Sequence, residues 1–229
     1  MQQRRLVGVL ETVARQPPGD LTARICAAAV ELLAATGAAV SLSIGDTVLQ
    51  PVAATSTGAG AEVLQADLGE GPAWDAHLQG TPRLVPDLRL DGSWPALGPA
   101  AVAAGTLAAF AFPLRSGQVR LGTLSVYRHR AGDLVDDEHA DALLLARLAL
   151  DACLALQSGR PTDQLDTLLE AGARTSAEVH QAAGMVSVQL GLDVGHGLDV
   201  LRARAYADGR TLHDLAREVV ARRVRLDEP

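Results

Sequence analysis

The chain contains no lysine: all 20 of its basic residues are arginine, set against 27 acidic ones for a formal net charge of -7. Affinity for polyphosphates is largely a count of neutralised phosphates, so this balance excludes indiscriminate nucleic-acid binding and requires any basic surface to be local. Only two cysteines occur, Cys26 and Cys153, without Cys-x-x-Cys or metal-ligand spacing. That excludes a disulfide framework, and both are expected as buried, inert thiols on the apolar sides of helices. The six histidines, His77, His129, His139, His180, His196 and His213, form no His-x-x-x-His pair, so no metal site is expected. There is no Gly-x-Ser-x-Gly elbow and no P-loop, and Gly58-Ala-Gly60 lacks the third glycine of a dinucleotide fingerprint. No enzymatic activity is expected. A long uncharged apolar run is also missing, and Met1-Gln-Gln-Arg-Arg leads into a helix carrying Glu11 and Arg15 in place of an apolar signal segment. These absences predict a soluble, cytoplasmic protein with no membrane partner.

What is present is a folding chain, 48% hydrophobic over 229 residues, enough for one sizeable core and an appendage or for two domains. Residues 4–35 are predicted helical, broken at Gln16-Pro-Pro-Gly-Asp20, with Asp20 capping a helix that turns Leu21, Ile25, Ala28, Ala29 and Leu32 inward. Strands follow over Ala39–Ile44 and Val48–Ala54, with Gly45-Asp46 as a tight turn, and again over Leu107–Pro113 and Val119–Tyr127 around Arg115-Ser-Gly-Gln118. Gly69-Glu-Gly-Pro-Ala-Trp-Asp-Ala-His77 signals a short helix between the strand pairs, and Ser93-Trp94-Pro95 opens another. Helices flanking an antiparallel sheet make this an α+β fold of the sensor type. A long helix begins at Asp133-Leu-Val-Asp-Asp-Glu138 with an acidic first turn, and its leucines 143, 144, 148, 150, 154 and 156 form a stripe too broad for one face, which predicts a homodimer. Ser158-Gly-Arg-Pro161 is expected to end or kink it, and Thr162–Glu170 to form a connecting helix.

From Ser176 to Leu226 the pattern changes to three short amphipathic helices. The first carries Val179, Ala182, Ala183, Val186 and Leu190 behind a Thr175-x-x-Glu178 capping box. The second carries Leu198, Leu201 and Ala205, with Asp193 as cap and Gly209 as stop. The third carries Leu212, Leu215, Ala216, Val219, Val220 and Val224, with Thr211 as its N-cap.

The segments His180-Gln-Ala-Ala-Gly-Met185, Leu201-Arg202, Ala205-Tyr206 and Gly209-Arg-Thr-Leu-His-Asp-Leu-Ala216 resemble the ANTAR domain, a three-helix RNA-binding module of bacterial transcription antiterminators. The chain departs from that pattern twice, with Ala183 where a lysine is usual and Gly209 where an asparagine is common; each replaces a side chain that could reach RNA. Upstream, Gly69-Glu-Gly-Pro72, Val85-Pro-Asp-Leu88, Trp94-Pro95, Phe110-Ala-Phe-Pro-Leu114 and Gly122-Thr-Leu-Ser-Val-Tyr127 resemble a GAF domain of the kind that precedes ANTAR modules in actinobacterial proteins. Members of that superfamily bind cyclic nucleotides, tetrapyrroles, haem or other small molecules, so the resemblance implies a pocket without naming its cofactor or ligand. Together the two resemblances imply a GAF-like sensor over residues 1–157, a helical linker over 158–175 and a three-helix ANTAR-like bundle over 176–229.

Candidate site residues follow from residue chemistry read with these resemblances. For the ligand pocket they are Trp74, His77, Trp94 and Tyr127, because the chain is only 3% aromatic and these groups cluster near loops and the last strands; Phe110 and Phe112 share a strand face and read as core. For RNA hairpins they are Arg202, Tyr206, Arg210, Thr211, Gln181 and Ser187, with Tyr206 offering a stacking face and the arginines phosphate or guanine contacts. Two alternatives stand beside this. The arginines also read as a solvated surface paired with acids, such as Asp214 with Arg217 or Glu218 with Arg222, in a sensing and interaction protein without RNA affinity. A DNA-binding helix-turn-helix fits the turn Ala207-Asp-Gly-Arg210, but the third helix offers few base readers.

Overall fold

The computed structural model describes residues 2–44, 48–157 and 163–226. The chain divides into two compact units, Met1–Gln65 with Glu70–Leu165, and Ala66–Gly69 with Asp166–Pro229.

The first unit opens with α1 (Gln2–Arg15) and α2 (Leu21–Leu32). The Asp20 carboxylate accepts the Ala23 N–H at 2.7 Å and caps α2, as its place after the Pro-Pro-Gly break predicts. Then come β1 (Gly37–Ile44), β2 (Val48–Ala54), α3 (Ser56–Leu68), α4 (Pro72–Gln79), β3 (Arg83–Val85), α5 (Leu97–Ala103), β4 (Ala108–Ser116), β5 (Val119–Arg128) and α6 (Asp136–Gln157). The five strands form one antiparallel sheet in the order β2-β1-β5-β4-β3. The Gly45-Asp46 turn lies outside the described residues.

Strand alternation gives the sheet two different faces. On one, Val40, Phe110, Phe112, Leu124 and Val126 are fully buried, and the Phe112 ring meets that of His139 on α6 edge-on with centroids 5.8 Å apart. Helices α1, α2 and α6 belong to this side. Buried Arg128 ties it together: its Nε donates to the Leu33 carbonyl at 3.0 Å, and its Nη2 lies 2.7 Å from the Glu138 carboxylate at the start of α6. The opposite face carries Ala39 and Ser41 on β1, Ala109 and Ala111 on β4, and Thr123, Ser125 and Tyr127 on β5, in register with one another. It is this second face that the candidate cavity occupies.

The second unit contains α7 (Asp163–Leu190), α8 (Val194–Ala207) and α9 (Leu212–Val220). Its core is built from Val179, Ala182, Val186, Leu201, Ala205, Leu212, Leu215, Ala216 and Val219, the residues at helical spacing in the sequence. Asp193 caps α8 through the His196 N–H at 3.0 Å, and Thr211 caps α9 through the Asp214 N–H at 3.1 Å. The backbone differs from expectation at the entry: the separate helices predicted for 162–170 and from 176 are one continuous helix. Thr175 sits inside α7 and does not begin a helix; no proline interrupts Asp163–Leu190, so the backbone ladder continues through it. The expected break at Ser158-Gly-Arg-Pro161 lies outside the described residues.

Candidate functional site

On its polar face the sheet, together with the first part of α3, the start of α4 and α5, lines a half-open cavity of about 290 Å³. Its walls are Ala61, Leu64, Pro72, Leu88, Leu97, Ala101 and Ala109, and Ser56, Thr57 and Gly60 lie at its exposed side. Gln65, Thr106 and Tyr127 supply the remaining polar surface. Two of the sequence segments shape these walls. The Glu70 carboxylate accepts the N–H groups of Ala96 and Leu97 at 2.8 and 2.7 Å and so caps α5, and the Leu88 N–H donates to the Leu107 carbonyl at 2.8 Å.

Behind the cavity runs a buried hydrogen-bonded chain. Ser41 Oγ donates to Glu62 Oε2 at 2.7 Å, the Tyr127 hydroxyl donates to Glu62 Oε1, and Gln65 Nε2 donates to the Tyr127 oxygen at 2.7 Å. The Gln65 carbonyl oxygen in turn accepts the Ala73 N–H at 3.0 Å at the start of α4. Burial, followed by the neighbouring Glu62 carboxylate, holds the Tyr127 phenol well above its ordinary pKa. Tyr127 therefore acts as a neutral donor fixed between α3 and β5.

Of the four residues expected in a pocket, Tyr127 lies on the wall of this cavity, and Trp74, His77 and Trp94 lie elsewhere in the sensor unit. Trp74 is 9% exposed and packs in a small core with Leu49, Ala73, Ala76 and Ala111. His77, on the same helix, is buried and absent from the cavity wall. Trp94 is buried with the Arg83 guanidinium 5.0 Å from its ring centroid, and Arg83 also reaches Asp91 at 3.2 Å. The aromatic rings are thus spent on packing and a cation–π contact. Glu62, Gln65, Ser41 and Thr106 are the residues that sequence reasoning missed. Their signal was polar residues recurring at period two in otherwise apolar strands, Ser41 and Thr123-x-Ser125-x-Tyr127, opposite the Glu62-x-x-Gln65 pair.

In the second unit Tyr206 is 61% exposed on α8, one turn after Arg202. The arginines there have acidic neighbours: Arg202 lies 3.9 Å from Asp199, Arg204 2.9 Å from Asp208, Arg210 3.1 Å from Glu218 and Arg217 2.9 Å from Asp214. Glu218 thus pairs with Arg210, where the sequence suggested Arg222. Thr211 is committed to its cap, and its hydroxyl also reaches the Asp214 carboxylate at 2.9 Å. Ser187 is buried and donates to the Gly184 carbonyl at 2.9 Å, which takes it off the surface. Gln181 is exposed on α7 and lines an open groove with Met185, Val188, Gln189, Arg222 and Arg225.

The two departures from the expected helical pattern acquire structural reasons. Ala183 is fully buried where α8 crosses α7 at Gly197, whose missing Cβ would stand 2.5 Å from the Ala183 carbonyl oxygen. A lysine there would have to bury its ammonium, so Ala183 is a packing position and not a lost surface cation. Gly209 has φ +62°, a left-handed conformation that glycine and asparagine both tolerate at the end of a helix.

Burial pushes the Cys26 thiol up to about 12 and the Cys153 thiol to about 11, which keeps both protonated. Among the described residues there is no cluster of His, Cys, Asp or Glu able to hold a metal ion, and no helix is long and apolar enough to cross a membrane.

The five-stranded antiparallel sheet has α1, α2 and α6 on one face and, on the other, α3, α4 and α5 over a small-molecule-sized cavity. The GAF domain profile matches residues 15–157, and the chain belongs to the GAF domain family, whose domains are typically small-molecule or signal-sensing modules. In fold the chain is similar to the GAF domain of a phosphoenolpyruvate-protein phosphotransferase from Coxiella burnetii, at 15% identity and TM-score 0.52 over 69% of this chain and 95% of that one. It is similar as well to the GAF domain of an Acinetobacter phosphoenolpyruvate-protein phosphotransferase, at 8% identity and TM-score 0.53 over 69% and 96% of the two chains. No curated protein matches the sequence.

Proposed function

We propose that this chain is a signal-responsive, non-enzymatic transcription antitermination regulator of the cytoplasm: its GAF domain takes up a small molecule in the cavity under α3, and α7–α9 act as an ANTAR-like module that binds RNA stem-loops. The observation that carries the RNA half is Tyr206, an aromatic ring 61% exposed on α8 one turn after Arg202, whose side chain is 22% exposed with its guanidinium against Gly69. Unstacked loop bases are read by stacking on such rings beside cationic groups. The groove bearing Gln181, Gln189 and Arg222 adds donors and charge on the same unit. Homodimerisation is supported by the exposed Leu6, Val7 and Leu10 on α1 and Leu143 and Leu154 on α6, apolar side chains within the sensor unit that a second copy would cover.

A second reading is favoured by the ion pairs of Arg202, Arg204, Arg210 and Arg217, which leave those charges partly neutralised. On it, the helical unit serves assembly in a small-molecule-sensing dimer and has no affinity for RNA. Anisotropy titration of looped RNA hairpins separates the two. Tyr206→Ala weakens hairpin binding by about 1–3 kcal/mol if its ring stacks on a base, while Arg217→Ala changes it little. Equal affinity for wild type and Tyr206→Ala contradicts the stacking role.

A further inference from the structure

We infer that the GAF cavity takes a small, uncharged and largely apolar molecule that hydrogen-bonds to Thr106, and that nucleotides and tetrapyrroles are excluded from it. This rests on the ligand-sensing reading of the domain and names the chemical class of the ligand.

Size is the first constraint. A cavity of 150 Å³ lined by aliphatic and aromatic side chains holds one benzene, so about 290 Å³ accommodates roughly twice that, on the order of twelve non-hydrogen atoms. A cyclic nucleotide or a tetrapyrrole would extend well past this volume through the open side, where Ser56, Thr57 and Gly60 are exposed, so the lining chemistry has to decide against it.

Charge is the second. Among the described residues no arginine or histidine lines the cavity, so a phosphate or propionate would be desolvated there without a counter-ion. Its polar wall carries Tyr127 and, bonded to it, Glu62, neither of which supplies a cation. An anion would meet an acidic group where it needs a basic one.

Hydrogen-bonding capacity is the third. Tyr127 already donates to Glu62 and accepts from Gln65, and Gln65 uses its carbonyl on the Ala73 N–H. Thr106, buried in the wall, differs: its backbone N–H donates to the Ala101 carbonyl at 2.9 Å, but its hydroxyl has no hydrogen-bond partner among the described residues. Thr106 carries the hydroxyl set among Ala61, Leu64, Leu88, Leu97 and Ala101, with the Ser56 and Thr57 hydroxyls at the exposed side and the second Gln65 Nε2–H beside Tyr127, and this lining matches a largely apolar ligand whose hydrogen-bonding group meets Thr106.

The test uses the full chain and four probes: 1-naphthol, naphthalene, cyclic GMP and biliverdin. Calorimetric or fluorescence titration should show 1-naphthol binding at one site per chain and neither cyclic GMP nor biliverdin binding. Ala61→Phe, which fills the cavity from α3, should weaken 1-naphthol by about tenfold or more. The near-isosteric Thr106→Val should erase the preference for 1-naphthol over naphthalene, with unchanged far-ultraviolet circular dichroism as the folding control. Cyclic GMP or biliverdin binding that Ala61→Phe abolishes overturns the ligand class while leaving the sensing cavity in place. Undiminished 1-naphthol binding in Ala61→Phe overturns the assignment to this cavity, and failure of all four probes to bind wild type overturns both the class and the ligand-sensing reading.

Discussion

Removing one oxygen atom, by Tyr127→Phe, should destabilise the sensor unit by about 2–3 kcal/mol, because that hydroxyl both donates to Glu62 and accepts from Gln65 in a buried chain. The substitution adds no volume and leaves the ring against the sheet, so cavity formation contributes little. The cost comes from Glu62, left with Ser41 as its remaining donor in this chain, and from a Gln65 N–H deprived of its acceptor. A buried group stripped of its partner costs about 1–3 kcal/mol, at the upper end where a carboxylate is involved. For a unit of this size the loss corresponds to a Tm lower by about 4–12 °C. Trp74 and Trp94, the chain's two tryptophans, both sit in this unit, so urea unfolding followed by tryptophan fluorescence reads it specifically. In a Glu62→Gln background the same Tyr127→Phe change should cost only about 1 kcal/mol, giving a coupling of about 1–2 kcal/mol between the positions. Additivity of the two substitutions to within about 0.5 kcal/mol would refute the buried chain as described.

Two further outcomes follow from side-chain placement. Tyr127 is a neutral acid whose folded pKa is raised, so its contribution to stability is complete below the ordinary tyrosine pKa of about 10 and is lost as pH rises beyond it; in an absorbance titration one of the two tyrosines should ionise only as the sensor unit unfolds, and simultaneous early ionisation of both would contradict this. Thr211→Ala should lower the stability of the helical unit by about 1 kcal/mol through loss of the α9 cap, read as faster amide exchange in α9, with sensor unfolding followed by tryptophan fluorescence as the comparison.

The sequence carried the fold wherever period and capping agreed. Asp20 after Pro-Pro-Gly, the alternating runs that became β1, β2, β4 and β5, and the stripes of α8 and α9 all placed elements near their observed bounds. Helix α3 was not legible, because its buried residues are Gly58, Glu62 and Gln65, which give no apolar stripe. Strand β3 spans only Arg83–Val85 and pairs at the sheet edge, too short for alternation to register. The same chemistry hid the site. A cavity wall made of alanines and leucines looks like core, and Gln65 belongs to a helix that hydrophobic periodicity cannot see, whereas Trp74, His77 and Trp94 stand out in the sequence by bulk and are buried in the sensor unit. Ala183 shows the converse, a position that pattern alone reads as a missing surface charge and that packing under Gly197 explains.

The most direct test of the proposed regulator is titration of the full wild-type chain against looped RNA hairpins, their fully paired counterparts and duplex DNA at several salt concentrations. With a net charge of -7 the chain has no general attraction for polyanions, so binding requires a local basic surface. The account predicts saturable binding of looped hairpins that weakens as salt rises, with a shallow slope of a few phosphate contacts and clear preference over paired RNA and DNA. Absence of binding to any hairpin at low salt, or equal binding to hairpin and duplex DNA, would contradict it.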